Sequence, residues 1–196
     1  MNKNGFSVAM SVYKNDNALY FDRALQSITA DQTQKPDEIV LIVDGPVPDT
    51  INDVIRKYDE QTGILRIIRL PKNKGLGNAL RIAVEEASYE LIARMDSDDV
   101  SLPDRFETEL NEFAIDKELD VVGGDITEFV GEEINIVAKR VVPKTDKDIK
   151  QYMKRRCPLN HVSVMYRKSS VLKCGNYLDL FWNEDYYLWI RMAING

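Results

Sequence analysis

Hydrophobic residues in the first hundred positions of the chain alternate between two spacings. Four short segments are rich in β-branched or apolar side chains, and the segment at 39–43, with the sequence IVLIV, is continuously apolar. Such short apolar runs are typical of parallel strands that are buried on both faces of a sheet. We therefore predict strands at residues 6–13, 38–43, 64–70 and 91–95.

Amphipathic helical patterns separate and follow these strands. Asp49 and Thr50 are candidates for the N-terminal cap of the second helix. The alternation predicts an α/β fold with a doubly wound, mostly parallel central sheet and helices on both faces. The apolar sets that define the four helices are Phe21, Leu25 and Ile28; Ile51, Val54, Ile55 and Tyr58; Leu76, Leu80, Ala83, Val84 and Ala87; and Leu102, Phe106, Leu110 and Phe113.

The pattern becomes mixed beyond residue 120. We predict two strands at 121–130 and 134–142 around a turn at 131–133, a strand at 162–166 and a helix at 184–194. In open α/β sheets ligands bind outside the carboxyl ends of the strands. The loops that follow the strands are therefore where functional residues are expected.

Composition and charge narrow the class of protein. The 196 residues are 44% hydrophobic and 30% charged, which indicates one globular domain, and the net charge of −6 argues against a broad basic surface for nucleic acid. No run of about 18 apolar residues and no signal peptide is present, so we expect a cytoplasmic protein. Two cysteines without a CxxC motif and a single histidine argue against a zinc site or a disulfide scaffold.

Acidic residues follow three of the predicted strands: Asp16, Asp44, and the cluster Asp96-Ser97-Asp98-Asp99. Carboxylates that converge on one crevice favour a hard cation such as Mg²⁺ or Mn²⁺, which completes its shell with substrate phosphates. Asp16 alone could instead cap a helix. Three carboxylates in four residues repel one another unless a cation compensates for them.

A glycine-containing loop at 73–77, with the sequence NKGLG, follows the third strand. Leu80 occupies the last position of GxGxxG, so the dinucleotide motif is not met. The helix start could face a phosphate or a sugar, or it could be only a glycine-rich helix entry.

Three features of the last third have both a functional and a structural interpretation. Glu184 and Asp185 begin an aromatic-rich helix, where they could supply a general base or simply complement the helix dipole. His161 is more often a structural residue than a catalyst in such a position. Residues 144–156 contain six basic and two acidic residues, which indicates a solvated helix face or a patch for an anionic acceptor or a membrane surface.

With these residues in place, the sequence resembles glycosyltransferase family 2, the inverting enzymes of the GT-A fold. The matching blocks run in family order across nearly the whole chain. They lie at 11–16 (SVYKND), 43–45 (VDG), 73–75 (NKG), 93–99 (ARMDSDD), 103–106 (PDRF), 122–124 (VGG), 160–165 (NHVSVM) and 184–189 (EDYYLW).

The resemblance implies a role for each matching position. Asp98 would bind the metal, Mn²⁺ or Mg²⁺, as the closing acid of the DxD motif, Asp185 would be the catalytic base, and Glu184 would orient the acceptor. The acceptor side and the surroundings of the acid cluster would include His161, Trp182, Arg94 and Arg105. The nucleotide would be bound by Val12, Tyr13, Asn15, Asp44, Lys74, Asp96 and Ser97.

The resemblance also implies the reaction and its partners. A hexosyl or N-acetylhexosaminyl group would pass from a nucleotide-diphosphate sugar, with uridine diphosphate the commonest donor of the family, to a saccharide or lipid-linked saccharide in surface polysaccharide synthesis. Residues 1–196 would form one GT-A domain, with the nucleotide-binding half at 1–100 and the acceptor half at 101–196. The enzyme could be peripheral to the inner face of the membrane.

Two alternatives remain at this point. Family members commonly continue well beyond the Glu184-Asp185 helix, so the chain could be a truncated, catalytically incomplete nucleotide-binding domain. A sugar-phosphate nucleotidyltransferase would need a glycine-rich, basic loop after the first strand, and residues 10–15 contain no glycine. The donor sugar, the acceptor and the oligomeric state do not follow from the sequence.

Overall fold

The computed structural model describes residues 5–180 and 183–195. Four parallel strands alternate with helices in the first half, as the apolar pattern predicts. The elements are β1 (Phe6–Val12), α1 (Ala18–Ile28), β2 (Glu38–Val43), α2 (Asp49–Thr62), β3 (Leu65–Arg69), α3 (Leu76–Glu86), β4 (Leu91–Met95) and α4 (Arg105–Ile115).

The second half is built from shorter elements. They are β5 (Val121–Val122), β6 (Ile126–Phe129), β7 (Ile136–Arg140), α5 (Asp146–Tyr152), a 3₁₀ turn (His161–Ser163), β8 (Met165–Arg167), α6 (Lys168–Lys173) and α7 (Glu184–Asn195). The sequence did not predict α6.

The central sheet has six strands in the order β3-β2-β1-β4-β8-β5. Strands β1 to β4 are parallel, whereas β8 runs antiparallel to both β4 and β5. All six residues of β2 are buried, because helices cover both faces of the sheet. Helices α1, α2 and α4 pack on one face, and α3, α6 and α7 pack on the other. The doubly wound α/β prediction is therefore confirmed.

Four sequence predictions about element ends are wrong. The strand expected at 162–166 begins only at Met165, after the 3₁₀ turn, and Leu102, assigned to the fourth helix, lies before the start of α4 at Arg105. The strand expected at 121–130 is two strands, because the chain turns away at Gly123-Gly124 and β6 leaves the central sheet to pair with β7. The cap of α2 is Pro48, which offers no side-chain acceptor, and Asp49 lies in the first helical turn. The carboxylate there favours the positive end of the helix dipole without capping it.

In the part of the chain that the structure describes, no helix is both long enough and apolar enough to cross a lipid bilayer.

Candidate active site

The loops after β1 and β4 meet where the strand order of the sheet reverses. Strand β2 follows β1 on one side, while β4 adds on the other, and such a switch point opens a crevice at the carboxyl edge of the sheet. Asp16 joins the two loops: its Oδ2 accepts hydrogen bonds from the Ser97 hydroxyl at 2.8 Å and from the Tyr13 amide at 3.0 Å. The topology therefore brings together carboxylates that are 80 residues or more apart in sequence.

The acid cluster at 96–99 lies in this crevice with an excess of negative charge. Burial and the charges of the neighbouring carboxylates raise the pKa of Asp99 to about 6. Partial burial of its carboxyl group and the charge of Asp96 also raise the pKa of Asp98, although the residue as a whole is exposed. Burial raises the pKa of Asp16, and the charges of Asp98 and Asp96 add to that shift. A cation at this position would relieve the repulsion.

Arg94 supplies a positive charge beneath the cluster. Its side chain is 1% exposed, and its Nη1 forms an ion pair with Asp96 Oδ2. Arg94 Nε has no hydrogen-bond partner among the described residues. A buried guanidinium requires a counter-charge, and Asp96 supplies it. Arg94 therefore pairs directly with Asp96, and its charge offsets the raised pKa values of Asp98 and Asp99 only in part.

Arg105 supports the end of β4. Its Nε donates to Glu109 Oε1 at 2.9 Å, and its Nη2 donates to the carbonyl oxygens of Arg94 and Val164 at 2.9 and 3.2 Å. Its Nη1 contacts the sulfur of Met95 at 3.6 Å. The three nitrogens thus contact α4, β4 and the chain before β8. Arg105 thereby holds the end of β4, the strand that the acid cluster follows.

Asp44 closes the loop that precedes α3. Its two carboxylate oxygens accept the amide hydrogens of Lys74 at 2.7 Å and Gly75 at 2.9 Å, and the residue is 4% exposed. The amides at this helix start, which the sequence left open to a phosphate or a sugar, are therefore occupied by an internal carboxylate. Gly45 permits the close approach of this loop, since a Cβ there would lie 2.6 Å from the amide nitrogen of Asn73.

The start of α7 packs against the start of α3 through Gly77. A Cβ at position 77 would lie 2.5 Å from the carbonyl oxygen of Leu178 and 3.3 Å from the Cβ of Glu184. Burial raises the pKa of Glu184, and the charges of Asp185 and Asp96 add to the shift while Arg94 opposes it. Glu184 therefore belongs to the same electrostatic environment as the acid cluster.

Asp185 accepts a weak hydrogen bond from a thiol. Cys157 Sγ lies 3.5 Å from Asp185 Oδ2 and 3.3 Å from the carbonyl oxygen of Leu159. Burial and the Asp185 charge raise the pKa of Cys157 to about 12, so the thiol stays protonated and remains a donor. Sequence reasoning missed Cys157, because nothing in a lone cysteine indicates a contact with a residue 28 positions away.

His161 lies in a buried aromatic cluster. Its Nε2 is 2.9 Å from the hydroxyl of Tyr177, and its ring stands edge-on to Trp189 with centroids 6.1 Å apart. Burial and the charge of Arg94 hold the pKa of His161 well below its usual value. The imidazole is therefore neutral, which favours the structural interpretation of this residue.

The other predicted site residues are distributed around the crevice. Tyr13, Asn15 and Lys74 are exposed, whereas Val12 and Ser97 are buried at the ends of β1 and β4. The Val12 carbonyl accepts the Asp44 amide at 2.8 Å, which ties the ends of β1 and β2 together. Trp182 lies outside the described residues.

Across residues 5–180 and 183–195, no group of three or more His, Cys, Asp or Glu side chains is arranged to hold a metal ion by itself. The oxygen donors at 96–99 still fit a cation that takes one or two protein carboxylates and obtains its remaining ligands from substrate phosphates.

A cavity of about 530 Å³ lies away from this crevice, at the amino edge of the sheet. It is lined by residues of α1, α2 and the loops before β2 and β3, including Lys35, Lys57 and Tyr58. Its lining contains none of the predicted site residues.

Comparison with known proteins assigns most of the chain to one family. The sequence model of the family "Glycosyl transferase family 2" matches residues 7–176. An uncharacterized glycosyltransferase of Haemophilus influenzae is 41% identical over 192 residues, covering 97% of this chain and 70% of that protein. The Escherichia coli UDP-Gal:alpha-D-GlcNAc-diphosphoundecaprenol beta-1,3-galactosyltransferase is 34% identical over 193 residues, covering 97% of this chain and 68% of that protein.

Solved structures show the same fold. The mannosyltransferase PcManGT from Pyrobaculum calidifontis, in complex with GDP-Man and Mn²⁺, superposes with a TM-score of 0.71 at 16% sequence identity. The match covers 97% of this chain and 52% of that one, so the present chain spans about half the length of that protein.

Proposed function

The chain belongs to glycosyl transferase family 2 and has the GT-A fold, and we propose that it is an inverting glycosyltransferase with a nucleotide-diphosphate sugar, specifically a UDP-sugar, as its donor. The acceptor in this proposal is a lipid-linked saccharide of surface polysaccharide synthesis. Support for both choices comes from the E. coli relative, whose name specifies UDP-Gal and a diphosphoundecaprenol-linked substrate. The family match favours this function over nucleotidyl transfer.

One observation carries the proposal: the start of α7, which holds Glu184 and Asp185, lies close to the acid cluster at the switch point, since the charge of Asp96 acts on Glu184. The hydrogen bond between Ser97 and Asp16 joins the loops after β1 and β4, and Glu184 lies within electrostatic reach of Asp96. A donor held by the strand loops would thus have its sugar directed towards the start of α7. An acceptor between them could be deprotonated and attack in one step.

The nucleotide side is assigned to the loops after β1, β2 and β4. Asp44 holds the 73–75 loop in a fixed conformation through two amide hydrogen bonds. Tyr13, Asn15 and Lys74 are exposed around this loop and are available to the base, ribose and phosphates. Asp96, neutralised by Arg94, is assigned to the ribose.

Asp98 is assigned to the divalent metal. It is an exposed residue whose carboxyl pKa is raised by partial burial and by the charge of Asp96. The charge of Arg94 lowers that pKa only in part, because Arg94 forms its ion pair with Asp96. A bound Mn²⁺ or Mg²⁺ would stabilise the charge that develops on the departing diphosphate.

Asp185 is assigned as the general base. Its Oδ2 accepts the Cys157 thiol, and among the described residues no hydrogen bond is made to Oδ1, which is therefore the oxygen proposed to take the proton of the acceptor hydroxyl. Glu184, with its raised pKa, would hydrogen-bond a neighbouring acceptor hydroxyl. With one base and no second carboxylate as nucleophile, the sugar is displaced directly and its anomeric configuration is inverted.

Two further assignments belong to the proposal. Residues 1–196 act as one domain in which 1–100 bind the nucleotide and 101–196 the acceptor. The enzyme works in the cytoplasm, where nucleotide sugars are available, at the inner face of the membrane.

The first test is calorimetric titration of the purified protein with UDP, GDP and CDP, each with and without Mn²⁺. Metal-dependent binding of UDP is expected. Binding of GDP or CDP in its place would overturn the donor assignment, and the absence of any binding would favour an incomplete domain.

The second test measures sugar transfer in two variants against a matched control. Asp185→Asn is expected to lower transfer by about 10³-fold or more while UDP binding is retained, since general-base catalysis contributes about 10²–10⁴-fold. Asp98→Asn is expected to remove the metal dependence of UDP binding. Asp59→Asn, on the exposed face of α2, controls for the loss of one charge. Undiminished transfer by Asp185→Asn would refute the base assignment.

A further inference from the structure

The β6–β7 hairpin extends from the body of the protein as a two-stranded ribbon. All five residues of β7 are exposed, so neither face of this strand is covered by the rest of the described chain. The hairpin and its flanks nevertheless carry large apolar side chains, which we call the hairpin face. Its members, with their exposed fractions, are Val130 (65%), Ile134 (83%), Ile136 (57%), Val137 (63%) and Val141 (59%).

A two-stranded ribbon is at best marginally stable by itself, and clustered exposed apolar side chains indicate an interaction surface. This ribbon is nevertheless fixed at both ends. At its tip, Glu133 accepts two hydrogen bonds from Arg23 of α1, at 2.6 and 3.2 Å. At its base, Asp125 accepts the Val142 amide at 3.1 Å and the Lys144 ammonium at 2.7 Å. The hairpin face is therefore held in a defined position although it is exposed.

Exposed apolar residues of α1 lie beside the hairpin tip, next to the contact between Arg23 and Glu133. Leu19 and Tyr20 precede Arg23 by four and three residues, which places them on the same side of the helix as the hairpin tip. They are 78% and 55% exposed. Helix α1 begins just after Asp16, so this surface borders the mouth of the candidate active site.

The charge next to the hairpin face is opposite to that of the rest of the chain. Residues 139–156, which we call the basic segment, contain eight Lys or Arg and two Asp, a net charge of +6. The whole chain carries −6, so the remaining residues carry −12. Lys147, Lys154 and Arg155 are exposed in this segment. Apolar side chains beside a concentrated positive charge are the features that bind an anionic membrane surface.

We propose that the hairpin face and the basic segment bind the surface of an anionic lipid bilayer. The apolar side chains enter the interface while the basic residues face lipid phosphates, and the strongly acidic remainder is repelled from the membrane. A second copy of the chain in a two-fold arrangement would place two basic segments against each other, which is unfavourable.

The base of the hairpin lies close to the candidate active site. Asn160 Nδ2 donates to the carbonyl oxygens of Gly124 and Arg140 at 2.8 and 3.5 Å, at the two sides of the hairpin base. Three residues earlier, Cys157 contacts Asp185. The proposed base is thus near the membrane-facing part of the molecule. The membrane location and the lipid-linked acceptor rest on the proposed function, whereas the assignment of the hairpin face and the basic segment as the binding surface rests on their exposure and charge.

Co-sedimentation with vesicles tests the proposal. The protein is expected to bind vesicles of phosphatidylcholine with 30% phosphatidylglycerol (roughly the anionic content needed for a clear surface potential) and not phosphatidylcholine alone. The double variant Ile134→Glu/Val137→Glu is expected to bind about tenfold more weakly or less. The matched control is Ile115→Glu/Ile194→Glu, which adds the same two charges on α4 and α7, at residues that are 80% and 74% exposed. Its binding should fall much less than that of the hairpin variant, because only the net charge of the protein changes.

A second variant tests the electrostatic part. Lys147→Ala/Lys154→Ala/Arg155→Ala is expected to weaken binding by roughly hundredfold at low salt and to reduce its dependence on salt concentration. Circular dichroism and UDP titration of every variant establish that folding and the nucleotide site are intact.

The proposal is overturned if the wild-type protein does not bind the anionic vesicles, or if the hairpin double variant binds as tightly as its matched control. It is also overturned if light scattering shows a dimer that the hairpin variant dissociates, because the hairpin face would then be a contact between copies. UDP titration and transfer to a soluble saccharide report on the proposed function separately from these outcomes.

Discussion

The loops after β2 and β4, which we propose bind the nucleotide, and the β6–β7 hairpin, called the arm below, differ in how their charged residues are held. Asp44 is 4% exposed and has both oxygens bonded to main-chain amides, and Arg94 is buried beneath Asp96. In the arm, the charged anchors Arg23–Glu133 and Asp125–Lys144 are side-chain pairs near the surface. Buried carboxylates bonded to the backbone fix a loop more strongly than solvent-screened ion pairs do. The loops proposed to bind the donor are therefore held more strongly than the arm, whose position depends on contacts at the surface.

The largest predicted effect concerns Asp44. Asp44→Ala leaves two amides without their acceptor, and because hydrogen bonds to a charged group contribute about 1.5–3 kcal/mol each, the free energy of unfolding should fall by roughly 3 kcal/mol. UDP affinity should fall as well, since the 73–75 loop loses its support. Urea denaturation and calorimetry measure the two effects.

The control for Asp44 is Asp59→Ala on the exposed face of α2, which should change stability by less than about 0.5 kcal/mol. Equal effects of the two variants would remove the distinction between the donor side and an ordinary surface.

The next effect concerns the contact between α3 and α7. Gly77→Ala would gain about 1 kcal/mol of helix propensity, but its Cβ would lie 2.5 Å from the Leu178 carbonyl oxygen. Overpacking against backbone costs about 1–3 kcal/mol, so a net loss of stability is expected, together with a loss of transfer because Glu184 moves. Thermal unfolding and transfer assays check both. Gly124→Ala, with open space around its Cβ, should leave stability nearly unchanged, and a stabilised Gly77→Ala would contradict this packing.

A smaller effect concerns the thiol beside the proposed base. Because burial and the Asp185 charge raise the pKa of Cys157 to about 12, its thiolate fraction at pH 9 is about 10⁻³, and alkylation should be slow. Asp185→Asn removes the negative charge, so the pKa of Cys157 should fall and its alkylation at pH 9 should accelerate. Mass spectrometry of iodoacetamide-treated protein measures the rate at each cysteine.

Cys174 is the internal control for alkylation, since no effect of Asp185→Asn is expected there. An unchanged rate at Cys157 in that variant would argue against the contact with Asp185.

The smallest effect concerns the base of the arm. The hydrogen bonds from the Lys144 ammonium and the Val142 amide lower the pKa of Asp125 to about 2. The stabilisation from this depressed pKa is present above pH 3.8 and is lost as the pH falls towards 2. Lys144→Ala should raise the pKa of Asp125 towards its usual value, which a carboxyl NMR titration would detect. A titration unaffected by the substitution would show that the arm is anchored by other contacts.

The parallel half of the fold could be predicted from the apolar pattern. Strand β2 ends where its apolar run ends, since a strand buried on both faces favours continuous apolar residues, and helix-period patterns lie between the strands. The acidic loops could be predicted for the same reason, because the carboxyl ends of parallel strands share one edge. The roles of the individual site residues stay predictions.

The partner of each carboxylate, by contrast, follows only from the folded structure. Arg94 pairs with Asp96, Asp44 binds two amides, and Cys157 contacts Asp185. Each of these contacts depends on how side chains pack or which rotamer they adopt, and the spacing of residues along the chain does not encode either. The departure of β6 from the central sheet likewise depends on where the chain turns after β5, whereas its apolar pattern suits either sheet. Periodicity is a local property and fixes elements, while burial and charge pairing are set by residues distant in the chain.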